Sequence, residues 1–152
     1  TARLMRKVRV EDGLTYGAYS SITGTTNKSP GAWIAYGTYS PDLLKKGEVS
    51  MEGVIAKWVD SGITKEELSN MKSTIVGSTQ VGYDTTAGIS TAILSSVVNR
   101  GGVKYLDEYS DKIESITLEE VNRVIKKHIK IDLLYKVAAG SIDQNGDPLS
   151  EQ

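Results

Sequence analysis

Apolar and polar positions along this chain follow two periods, and each change of period marks an element. Residues 1–8, "TARLMRKV", set Leu4, Met5 and Val8 among basic residues and read as the tail of an amphipathic helix. Gly13 is its natural stop. From Leu14 the period drops to two. Leu14, Tyr16, Ala18, Ser20 and Ile22 share one face of a strand expected over 14–23. "TGTTNKSPG" is turn chemistry. "AWIAYGTY", residues 32–39, predicts a second strand, antiparallel to the first.

Helical spacing then takes over. Ser40 is placed to cap a helix and Pro41 suits its first position. Leu44, Met51, Ile55 and Trp58 form its apolar stripe, and Gly62 ends it. Thr64 to Glu67 is a capping box that opens the next helix, with Leu68, Met71 and Ile75 on one side. A further helix is expected over 85–100, closed by Gly101 and Gly102. Leu106, Tyr109, Ile113 and Ile116 predict one more. Thr117 to Glu120 is a second capping box, and Val121, Val124 and Ile125 carry that helix on. "LLYKVAAG", residues 133–140, predicts a last strand.

Two strands, about five helices and a closing strand make an α+β fold, an antiparallel sheet with helices packed on one face. The domain is expected over residues 1–142, with 143–152 as a polar, frayed tail. The chain begins inside a helical pattern and reads as part of a larger domain. Helices this numerous leave so small a sheet with open edges, which invites either pairing with the missing half of the domain or self-association through a sheet edge.

Composition narrows the functions. The formal net charge is −1, so no electrostatic footprint for nucleic acid is expected. No apolar run approaches the ~20 residues that span a bilayer. There is no cysteine, which removes disulfides, thiol catalysis and thiolate metal sites from this chain. The only histidine is His128, too little for a zinc site that needs three or four ligands in close array. Its position in the last turn of a helix accounts for it through the helix dipole. "GLTYGAYSSITG" lacks the Lys-Ser/Thr of a phosphate loop and leads into a strand. Glu66, Glu67, Glu119 and Glu120 sit at helix starts, where capping explains them. Glu11 and Asp12 flank the Gly13 turn and read as solvated. The "NKS" sequon at Asn27 matters only in a glycosylating compartment.

Arg9 and Tyr16 remain. One closes a helix and the other opens a strand, common placements that need no function; yet a helix end and the start of the next strand meet at one edge of the sheet. A guanidinium and a phenol that converge there both donate hydrogen bonds. Together they suit a peptide carbonyl or a developing oxyanion.

These residues carry a resemblance. "LMRKVRVEDGLTYGAYS" resembles the motif in the C-terminal domain of pitrilysin-type (M16) zinc metallopeptidases, roughly L-R-x-x-x-G-hydrophobic-x-Y-x-x-x-S. Here the Arg and Tyr of that motif are Arg9 and Tyr16, and Val8 stands where Leu is usual. "SGITKEELSNMKSTIVGS" is similar to the family's G-x-T-x-E-E-L-x-x-x-K helix start. "IESITLEEVNRVIKKHI" and "LLYKVAAGSI" resemble its later helix and closing strand. The resemblance covers nearly the whole chain.

The resemblance implies the second half of a C-terminal, substrate-binding domain of the LuxS/MPP-like metallohydrolase fold. In that family a zinc motif, H-x-x-E-H, lies in another domain, polarises the scissile carbonyl and activates water. The implied partners are a peptide substrate and a zinc-bearing domain or subunit. Zinc is implied in the parent enzyme or partner subunit, with none bound by this chain. Arg9 and Tyr16 are implied to bind the substrate backbone and support the transition state from the opposite wall. H-x-x-E-H is absent here, so the chain alone is expected to be inactive. The family also holds noncatalytic members, and a structural or assembly subunit is the alternative reading.

Overall fold

The computed structural model describes residues 2–24 and 30–149, so the Asn27 sequon lies outside the described residues. A π-helix, Met5–Glu11, comes first, followed by β1 (Ala18–Thr23) and β2 (Ala32–Gly37). Among the described residues six α-helices follow: α1 (Leu44–Ser61), α2 (Lys65–Gly82), α3 (Thr86–Asn99), α4 (Lys104–Asp107), α5 (Tyr109–Ser115) and α6 (Leu118–His128). The architecture is α+β, built on a two-stranded antiparallel sheet. The chain divides into two compact units, one of Thr1–Thr23, Ala32–Ser61 and Lys126–Gln152, the other of Gly24–Gly31 and Gly62–Ile125.

In the first unit the core is Leu4, Val8, Ala18 and Ile55. Leu4 and Val8 lie one helical turn apart, so both face inward, and Val8 is fully buried. Ala18 pairs with Gly37, Ser20 with Ala35 and Ile22 with Trp33. That face turns toward α1, where the Trp33 ring stacks on Trp58 with centroids 5.6 Å apart. The other face carries Tyr19 and Tyr36, also 5.6 Å apart and both exposed. Met51 and Ile55 of the predicted stripe do reach the core.

Ser40 precedes a 3-10 turn, Pro41–Leu43, and its side chain makes no capping bond. The expected start of α1 is therefore present, but Ser40 does not cap it through its hydroxyl. Tyr39 packs between elements instead. A Cβ built on Gly47 of α1 would stand 2.2 Å from the Tyr39 ring, so only glycine lets the ring lie flat on the helix.

The expected strand over 133–140 is not formed. A 3-10 turn, Ile131–Leu133, replaces its start, and no described strand pairs with the rest. Leu134 still packs on the core, and Lys136 forms an ion pair with Glu52. Tyr135 and Val137 are almost wholly exposed. β-competent side chains make a strand only where the backbone finds a ladder. The tail is more ordered than expected as far as Leu149. Ile142 bridges Pro148, the Leu149 N–H donates to the Ser141 carbonyl, and Lys45 pairs with Asp147 at 2.5 Å.

The second unit is helical. The Thr64 capping box is complete, Thr64 accepting from the Glu67 N–H at 3.1 Å and Glu67 from the Thr64 N–H at 2.8 Å. The Thr117 box is complete in the same way. Gly62 has φ +71°, and the Asn122 amide occupies the place a Cβ would take. Asn122 accepts from the Ile63 N–H at 2.8 Å, which ties the start of this unit to α6. Thr85 caps α3, and the positive φ of Gly101 and Gly102 closes it. The single helix expected through Leu106 and Ile116 is two short ones, interrupted at Glu108.

Gly47→Ala tests the ring contact. Helix propensity favours Ala over Gly by about 1 kcal/mol. Overlap with a core ring costs about 1–3 kcal/mol, so the net outcome is a loss of stability. Tyr39→Phe, by contrast, holds or raises stability, because the phenol oxygen is buried without a partner. Urea unfolding of both variants checks this; a Gly47→Ala protein more stable than the parent chain contradicts it.

Candidate functional site

Arg9 sits near the end of the π-helix, one residue after the fully buried Val8. Inward anchoring of Val8 forces its neighbour outward. The helix runs three residues beyond the expected tail, and the Asp12 N–H reaches back five residues to the Lys7 carbonyl. Such wide turns recur at functional sites. Gly13, with φ +64°, then reverses the chain, and the Leu14 N–H bonds the Val8 carbonyl at 3.0 Å.

Tyr16 does not belong to β1, as the period-two pattern predicted. Strand pairing starts only at Ala18 because Thr15 holds a turn ahead of it. The Thr15 hydroxyl accepts the Gly17 N–H at 3.1 Å and donates to the Thr38 carbonyl. The turn leaves Tyr16 82% exposed, free to meet a side chain from the helix end. The Arg9 guanidinium lies over the Tyr16 ring, 4.6 Å from its centroid. At an exposed site such a contact contributes about 0.5–1 kcal/mol. Its greater effect is geometric, since it holds a long side chain in one orientation.

Neighbouring charges leave Arg9 unpaired. Glu11 is shared by Arg6 at 3.8 Å and Lys7 at 3.6 Å. Lys7 also binds Asp12 at 2.6 Å. Arg9 makes no ion pair among the described residues, so its N–H donors stay available. Asp12 is not a merely solvated turn residue. It also accepts from Ser50 of α1 at 2.5 Å, tying the helix end to α1. The hydrogen bonds from Lys7 first and Ser50 second hold its carboxyl below the ordinary value, and the bond to Asp12 raises Lys7. A helix-ending Asp-Gly signals a turn, but nothing in its spacing points to Ser50. Thr15 was equally illegible.

A depression of about 420 Å³ opens beside the pair, lined by Leu14, Thr15, Tyr16, Thr38, Tyr39 and Ser40 among others. Burial raises the Tyr39 phenol above its ordinary value, and Glu48 adds to this. His128, in the last turn of α6, is exposed. Among the described residues no group of three His, Cys, Asp or Glu could hold a metal ion, so the described residues do not fit a zinc site. No described helix is long and apolar enough to cross a membrane.

No family model matches the chain. Curated relatives do. It is 25% identical over 141 residues to "Non-peptidase homolog YmxG" of Helicobacter pylori, covering 91% of this chain and 32% of that protein. It is 26% identical over 127 residues to "Uncharacterized zinc protease YmxG" of Bacillus subtilis, covering 84% and 31%. The chain thus spans about a third of the length of the curated relatives it matches. Among solved structures, the peptidase M16 inactive domain from Pseudomonas fluorescens superposes with TM-score 0.75 at 25% identity, over 86% of this chain and 31% of that one. The periplasmic protease PqqL from Escherichia coli shares the fold, with TM-score 0.70 at 18% identity, over 82% and 14%.

The Asp12 tie has a pH signature. Its folded pKa lies below that of the unfolded chain. Its stabilising share is therefore complete above the unfolded value, roughly pH 4, and is lost as pH falls through the lowered folded value. Asp12→Asn is expected to lower stability at neutral pH and to flatten the acid limb of the stability curve. Urea unfolding between neutral pH and pH 2 checks it; an unchanged acid limb means that Asp12 does not carry the tie.

Proposed function

We propose that this chain, which is similar to the YmxG homologues and to a solved peptidase M16 inactive domain, is the substrate-binding, non-zinc portion of a zinc metalloendopeptidase. It closes over a peptide held at a zinc site in another domain or subunit. Residues 1–142 are the domain portion in this reading and 143–152 its tail. The observation that carries it is the Arg9 guanidinium held over Tyr16 with no ion pair to a carboxylate among the described residues. An extended peptide offers a carbonyl at every residue. Arg9 and the Tyr16 hydroxyl both donate and neither must first release a partner. Donors fixed in advance stabilise developing negative charge without reorganising during the reaction. In this reading the metal and its general base belong to the other part, since H-x-x-E-H does not occur in this sequence.

The second reading is a noncatalytic structural or assembly subunit. The description of the Helicobacter relative as a non-peptidase homolog favours it. Kinetics separate the two. In the complete protein, Arg9→Ala and Tyr16→Phe are each expected to lower kcat/KM for peptide cleavage by about tenfold to a thousandfold, as for loss of a transition-state donor. Folding and zinc content stay at parental levels. Cleavage at the parental rate by both variants makes the pair structural; no cleavage by the parent under any zinc loading supports the assembly subunit.

A further inference from the structure

Tyr16 takes part in two things at once. Its ring lies under the Arg9 guanidinium, and the same residue lines the depression beside the pair. Resting on the peptide-binding reading above, we propose that this depression is a subsite for an uncharged side chain of the bound peptide. Leu14, Tyr16 and Tyr39 supply its apolar surface, and Thr38 and Ser40 set its size and polarity.

Extended peptides rise about 3.3 Å per residue with side chains on alternate sides. A carbonyl held by Arg9 or the Tyr16 hydroxyl therefore brings an adjacent side chain against Tyr16. The depression, about 420 Å³, is shallow and open to solvent, so it can meet one face of a side chain rather than enclose a ligand. Its chemistry selects what enters. No lining residue bears a carboxylate, ammonium or guanidinium group. An ionised side chain would lose hydration there and gain no counter-charge. Asp12 is taken by Lys7 and Ser50, and Arg9 lies outside the lining.

The hydroxyls divide into two kinds. Thr15 is engaged by Gly17 and Thr38, so it shapes the turn and is a positioning residue. Ser40 makes no capping bond, and its hydroxyl is available. For the same reason Ser40 can be changed without removing a helix cap. A neutral side chain gains apolar contact from Leu14 and the two tyrosines, and a hydroxyl partner if it carries a polar tip.

The test is binding by the full chain of blocked Gly/Ala nonapeptides that carry one Leu, Phe, Asp or Lys at each position in turn, read by fluorescence anisotropy. One position is expected to prefer Leu or Phe over Asp and Lys by about tenfold, the scale of a filled apolar subsite. Ser40→Trp, which fills the depression, is expected to erase that preference, and Thr38→Trp serves as the second variant. Arg9→Ala is expected to weaken all peptides alike and keep the preference. If Arg9→Ala weakens every peptide while both Trp variants keep the parental preference, the subsite is wrong and the peptide-binding reading stands. A preferred Asp means that Arg9 reads the side chain, which also overturns the subsite. Failure of every peptide to bind overturns both.

Discussion

The burial of Val8 is the constraint on which the first unit rests. It is wholly enclosed by a core that also contains Leu4, Ala18 and Ile55, so the π-helix, β1 and α1 meet at one place. Burying an aliphatic side chain of this size contributes about 1.5–3 kcal/mol. The anchor also fixes which residues face outward. With Val8 inward, Arg9 is outward. With Ala18 inward and Thr15 bonded across to Thr38, the turn that holds Tyr16 is fixed too. A surface pair is thereby placed by core packing, although neither member is buried.

Electrostatics complete the arrangement by allocation. Two carboxylates, Glu11 and Asp12, follow a run of basic residues. Arg6, Lys7 and Ser50 take them up. Arg9 stacks on an aromatic ring, which orients a guanidinium without consuming its donors. A peptide carbonyl can use such a cation directly. One already paired with a carboxylate would first have to be released.

Elements with local signals were legible in the sequence. Both capping boxes, the Gly13 and Gly62 stops and the helices between them follow from side-chain chemistry within a few residues. The antiparallel pairing of β1 and β2 and the Met51–Ile55 stripe were equally readable. What was missed depends on distant partners or on backbone winding. The segment 133–140 has strand composition, yet no described strand pairs with it. The π winding of Met5–Glu11 leaves the apolar spacing of Leu4 and Val8 unchanged, so periodicity cannot show it. Tyr16 shares the parity of Ala18, and only the Thr15 turn removes it from the strand. Ser40 has a capping residue's identity but not its bond. Arg9 and Tyr16 were readable as residues that could meet at one edge. Their stacked geometry, and Asp12's bond to Ser50, required the fold.

The pair's role is tested most directly by watching the guanidinium itself. In the ¹⁵N-labelled chain, the Arg9 Nε–H signal is assigned by comparison with Arg9→Lys and followed as an extended, blocked peptide is added. A shift of the Arg9 signal that saturates with peptide, while Arg6 stays still, is the predicted result. Peptide binding that leaves the Arg9 signal in place while moving resonances elsewhere would contradict the account.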